Sequence, residues 1–106
     1  MKTFGQLFKT YRLRAEFASL SEFADAFAQK GFFYEQSIFS HWQNGNRIPS
    51  NRKVVINLIE VFIESGAIKT YEQANEILES AGHGYLTNTE LQNLISIYSP
   101  VFSKYS

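Results

Sequence analysis

Gln36-Ser37-Ile38-Phe39-Ser40-His41-Trp42-Gln43-Asn44-Gly45 is the stretch that decides how this chain reads. Wound as a helix from about Glu35 to Asn44, it turns Phe39 and Trp42 to one side. Gln36, Ser37, Ser40 and His41 fall on the other, because residues three or four apart share a helical face. Gly45 is the expected stop, since glycine enters the left-handed conformation without a Cβ penalty. Two large rings can anchor a short helix while four polar side chains stay available. Those side chains suit base edges: Gln can form two bonds to adenine, Ser can bond several bases, and His can donate to guanine or to phosphate. The following Gly45-Asn46-Arg47-Ile48-Pro49 loop adds backbone N–H groups and a cation, a combination suited to phosphate.

Outward from this stretch, helix signals recur in both directions. Thr3 with Gln6 forms a capping box ahead of the stripe Phe4, Leu7, Phe8 and Tyr11, and Ser19 with Glu22 repeats it ahead of Leu20, Phe23, Ala24 and Phe27. Past Pro49, a long helix is expected from near Arg52 to Ser65, with Val55, Leu58, Ile59 and Phe62 inward and Gly66 ending it. Thr70 and Gln73 open a fifth helix lined by Ala74, Ile77, Leu78 and Ala81 and closed by Gly82. Thr87 and Glu90 open a sixth, with Leu86 and Leu91 at the two positions of a hydrophobic staple and Pro100 as its stop. No segment alternates as a strand. The expectation is therefore an all-α, compact bundle of five or six helices containing a helix-turn-helix. Phe23, Phe27, Phe39, Trp42, Leu58 and Phe62 should meet in one core. The segment from Val101 to Ser106 has three readings open: a frayed end, a docked tail, or the cut edge of a longer protein.

The 106 residues suit one domain, and a formal net charge of zero hides a division. Residues 1–53 carry eight basic side chains against four acidic, net +4; residues 54–106 carry two against six, net −4. Such asymmetry is the pattern of a chain with one half facing a polyanion. Lys2, Lys9, Arg12 and Arg14 interrupt the start and leave no apolar core for a signal peptide. Absence of cysteine removes disulfides and thiolate metal sites, and a soluble, cytoplasmic protein with no membrane span is expected.

The decisive stretch resembles the second half of the lambda-repressor-like helix-turn-helix pattern, in which an Ile-Ser-Arg-Trp-Glu-x-Gly core precedes a basic residue and Pro. Ser19-Leu20-Ser21-Glu22-Phe23-Ala24 resembles the Ser-x-x-Glu-Leu-Ala helix before it. Residues 4–65 carry this resemblance; within residues 66–106, Tyr71 to Gly82 and Leu86 to Leu91 are similar to a helical extension seen after such modules in some bacterial regulators and signalling ATPases. The resemblance implies sequence-specific binding of double-stranded DNA by a bacterial or phage transcriptional regulator, or by the DNA-binding module of a larger one. Carried over by position, Gln36, Ser37, Ser40 and His41 become base contacts. Asn44, Asn46, Arg47, Arg52 and Lys53 become phosphate contacts. The chain departs from the family in four places. Gln43 stands where Glu is usual, removing an ion pair with Arg12 or Arg14. The link from Ala28 to Tyr34 is long, and Glu35 sets a negative charge at the helix start. Leu20 also replaces a Gln that often reaches phosphate.

Catalysis finds no footing in the sequence. His41 and His83 lie on separate elements, and the six glycines are scattered, so no triad, paired-His metal site or phosphate-cradling loop is indicated and no cofactor is expected. The rival is a protein-interaction adaptor that keeps the fold without binding DNA. It gains if Arg12, Arg14, Arg47, Arg52 and Lys53 do not share a face with Gln36 and His41. Single helix-turn-helix units commonly bind as two-fold dimers, so a homodimer through the acidic C-terminal helices is the expected assembly.

Overall fold

Five of the six helices begin with a side chain that accepts a hydrogen bond from a free N–H of the first turn, as the local sequence dictates. The computed structural model describes residues 2–104, in which the helices are α1 (Phe4–Arg14), α2 (Leu20–Gln29), α3 (Gln36–Asn44), α4 (Arg52–Glu64), α5 (Tyr71–Ser80) and α6 (Asn88–Tyr98). Thr3, Ser19, Thr70 and Thr87 each close a reciprocal capping box with the Gln or Glu three residues on. Asn51 caps α4 through the Lys53 N–H. The exception is α3, whose N-cap Glu35 makes no side-chain bond. Gly45, Gly66 and Gly82 end three helices with φ near +80°. At the end of α1 no glycine is available, and Glu16 takes the left-handed position at φ 66°. Among the described residues there is no strand, only one isolated parallel bridge between Thr70 and Ser103.

That bridge answers one open question. Ser103 receives the Tyr71 N–H and donates its own to the Lys69 carbonyl, and Phe102 is completely buried. Up to Lys104 the tail is docked against the start of α5; Tyr105 and Ser106 lie outside the described residues.

Buried side chains from all six helices form one cluster. All six residues expected to meet in the core are in it, Trp42 being 4% exposed and the other five not at all. Its centre is a ring network: Phe23 lies 5.1 Å edge-on from both Phe8 and Phe39, Phe39 lies 5.2 Å from Trp42, and Phe62 lies 5.8 Å from Phe23. Edge-to-face pairs contribute about 0.5–1.5 kcal/mol each beyond their burial. Toward the C-terminus the filling becomes aliphatic, with Ile68, Ile77, Leu78, Leu91 and Leu94. Leu86 and Leu91, the expected staple, are both buried. Asn75, also buried, accepts the Leu86 N–H at 2.8 Å and so satisfies the loop between α5 and α6.

Candidate nucleic-acid interface

The candidate reading helix α3 is held by α1 on one side and α2 on the other. The α1 contact is close because Gly5 carries no side chain. A Cβ there would sit 2.7 Å from the Trp42 and Gln43 carbonyl oxygens. Glycine inside a helix costs about 1 kcal/mol relative to alanine, and here the close approach of two backbones requires it. A few residues further along α1, Arg12 is 5% exposed. Its Nε donates to Gln43 Oε1 at 3.2 Å and its Nη1 to the Phe17 carbonyl at 2.6 Å. Arg12 is thus the counterpart of Gln43, with a charge-to-amide bond in place of the ion pair. Arg14 instead lies over the Tyr11 ring at 5.3 Å.

With Phe39 and Trp42 locked inward, Gln36, Ser37 and Asn44 are exposed, and Ser40 and His41 are half-buried. Two weak contacts, each at 3.5 Å, tie this surface together: Asn44 Nδ2 donates to Ser40 Oγ, and Asn46 Nδ2 pairs with His41 Nδ1. Gln36, Ser37, Ser40 and His41 therefore share one solvent-facing side of an anchored helix. Leu20, which stands where the resembled family often has a phosphate-reaching Gln, is half-buried against the core. The long link between α2 and α3 turns at Gly31 (φ 92°), then stacks Phe32 and Tyr34 on the buried Phe27 ring at 5.2 and 6.0 Å.

Two of the sequence expectations for phosphate need correction. The Asn46 and Arg47 N–H groups both donate to the His41 carbonyl, at 2.9 and 3.3 Å, and Gly45 N–H donates to Trp42. The last carbonyls of α3 need donors, and the loop supplies them. The loop can offer phosphate its side chains, with the first three of its backbone donors already committed. Arg52 is the second correction. Its guanidinium forks onto both Glu90 oxygens, at 2.9 and 2.7 Å, and donates to the Gly84 and Tyr85 carbonyls. It clips α4 to α6 and to the loop before α6. The fork pulls the Glu90 carboxyl down from its ordinary 4.5 to about 2, helped by the Thr87 N–H and opposed by burial. Of the five expected phosphate contacts, Asn44, Asn46, Arg47 and Lys53 keep exposed side chains.

Arg47 and Lys53 form no ion pair among the described residues. The acidic counterpart lies elsewhere. Lys30 pairs with Glu64, and the Tyr98 hydroxyl bonds Glu60 at 3.2 Å and Glu64 at 3.0 Å. Burial, with these carboxylates, pushes the Tyr98 phenol up to about 12. Sequence reasoning missed Gly5, although an isolated glycine inside a helical pattern is a recognisable packing signal. It missed the Arg52–Glu90 clip because the two residues are far apart in the chain. His83 sits after α5 with Nε2 3.4 Å from the Pro49 carbonyl. Among the described residues no group of three or more His, Asp or Glu is placed to hold a metal ion, and no helix is long and apolar enough to cross a membrane. Compared with known protein families, curated proteins and solved structures, the chain matches none.

Proposed function

We propose that this chain is a sequence-specific binder of double-stranded DNA, a transcriptional regulator of the lambda-repressor-like kind and not an enzyme, with α3 lying in the major groove. One observation carries the reading: Gln36, Ser37, Ser40 and His41 occupy the solvent side of a helix whose opposite side is fixed by Phe39 and Trp42. A major groove admits one α-helix, and polar side chains projecting from a rigid one meet base edges in a fixed register. Arg47 and Lys53, with Asn44 and Asn46, supply the sequence-independent grip on phosphate. The acidic surface of α4 to α6 belongs away from the duplex, where it serves homodimer contact in a cytoplasmic regulator.

Selection of bound sequences from a random duplex pool, followed by salt titration, tests this. Enrichment of a short motif, with affinity falling linearly in log salt, is the expected result. No duplex binding at low salt sinks the reading. A second reading, the protein-interaction adaptor, draws support from the internal use of Arg12 and Arg52, which removes two of the five cations that would have served DNA.

A further inference from the structure

We propose that Phe33 is a base-reading residue whose ring packs on the C5-methyl group of a thymine, next to the base pairs addressed by Gln36 and Ser37. The inference rests on the DNA-binding reading above and adds a specificity determinant to it. Phe33 is 82% exposed, more than any other large hydrophobic side chain among the described residues. A lone exposed hydrophobe is ordinary; its placement is what matters here. It stands three residues before Gln36, in the link that feeds the reading helix. Its neighbours on both sides are pinned: Phe32 and Tyr34 stack on Phe27 and face each other at 6.4 Å. The inward volume at this point is thus filled by other rings, and Phe33 takes no part in the core. The backbone holds it outward on a short, braced segment.

The chemistry beside it selects the occupant. Glu35 is exposed at the start of α3 and makes no capping bond, so an anionic side chain lies two residues from the ring. A carboxylate repels phosphate and accepts from a base amino group, which directs this end of α3 toward base edges. On those edges in the major groove the thymine methyl is the apolar group.

The test uses the full chain and a duplex carrying the motif enriched from the random pool. Each thymine is replaced in turn by deoxyuracil, which removes only the methyl group. At one thymine flanking the Gln36 position, binding by the unaltered protein should weaken about fourfold, the effect of burying one methyl group. With Phe33→Ala that same replacement should have no effect, while other thymines keep theirs. Phe33→Leu, which retains an apolar contact, should preserve part of the sensitivity and guards against a folding failure of the alanine variant. An equal thymine-to-deoxyuracil effect in the unaltered and variant proteins at every position overturns the proposal and leaves DNA binding standing. So does an enriched motif with no thymine beside the Gln36 position. Failure of the unaltered protein to bind any duplex removes both, and a partner protein captured through Phe33 in that case would establish the adaptor reading.

Discussion

The two halves of this bundle are built on different principles. Residues 4–65 close around a network of aromatic rings, many in edge-to-face contact, and residues 66–104 around mainly aliphatic side chains, with Phe102 docked among them, fastened by polar clips. In the first half the rings of Phe8, Phe23, Phe39 and Trp42 bear on one another within 6 Å. In the second, Asn75 holds the Leu86 N–H, Glu90 holds Arg52, and Glu76 accepts from the Tyr11 hydroxyl at 3.3 Å. Rings have few internal rotations and lock a helix in one orientation, which the proposed reading surface on α3 requires. Clips between distant residues fasten a layer without fixing the fine register of any one face. The first half thus holds α3 by ring packing, and the second half braces it through these clips.

The largest expected effect comes from the ring network. Trp42→Ala should lower stability by about 3–5 kcal/mol in denaturant unfolding, and Leu94→Ala in the brace by about 2–5 kcal/mol. If only the first abolishes DNA binding under conditions where both variants remain folded, the division between reading surface and brace holds. Equal loss of binding at equal folded fraction breaks it.

Next in size is Gly5→Ala. The added methyl group meets two backbone carbonyls that cannot rotate away, so α1 and α3 must separate, at a cost of about 1–3 kcal/mol. A thermal midpoint equal to that of the unaltered protein would show that the contact yields freely.

Gln36→Ala should cost about 1–3 kcal/mol on the selected duplex alone and relax preference at one base position. Arg47→Ala should weaken selected and scrambled duplexes alike and reduce the salt slope by about one. Titrations of both variants on both duplexes, across several salt concentrations, separate reading from gripping. Equal losses on both duplexes for Gln36→Ala would show that α3 does not read bases.

Smaller still is the clip at Glu90. Its folded value, about 2, lies below its ordinary 4.5, so it contributes stability that is present above about pH 4.5 and is lost as pH falls toward 2. Because Arg52 and Glu90 are partly exposed, the contribution should be about 1 kcal/mol. Glu90→Gln should remove that much at neutral pH and flatten the unfolding profile over the same window. An unchanged acid profile would show that solvent screens the pair completely.

Smallest is Gln43→Glu. A carboxylate at this position would turn the Arg12 bond into a charge-assisted pair, stronger than the present bond to a neutral amide. An increase of about 0.5–1 kcal/mol in unfolding free energy is expected. A decrease would mean that desolvating the carboxylate outweighs the pairing.

Helix boundaries were legible because their causes are local. A hydroxyl and a Gln or Glu three residues later bond reciprocally across a helical first turn, and the four starts read from such a pair stand as read. The α4 end differs by one residue, Ser65 serving as its cap. Apolar spacing likewise fixed which rings point inward and, by exclusion, that Gln36, Ser37, Ser40 and His41 share the outer face. What each cation does was not legible. Arg12 and Arg14 read as equal candidates for the partner of Gln43, and Arg52 reads like Arg47, yet Arg12 alone is buried beside Gln43 and Arg52 is forked onto Glu90. A long flexible side chain takes the acceptors within reach, and one of them lies on another helix, 31 residues away for Arg12 and 38 for Arg52. The docking of Phe102, the need for glycine at position 5 and the outward hold on Phe33 share that dependence. The sequence by itself determined where the helices are and which faces are apolar, since both follow from hydrogen bonds and spacing within a few residues. Only the tertiary structure decided which polar groups remain free to bind, because that depends on which surfaces the packed helices bring within bonding distance.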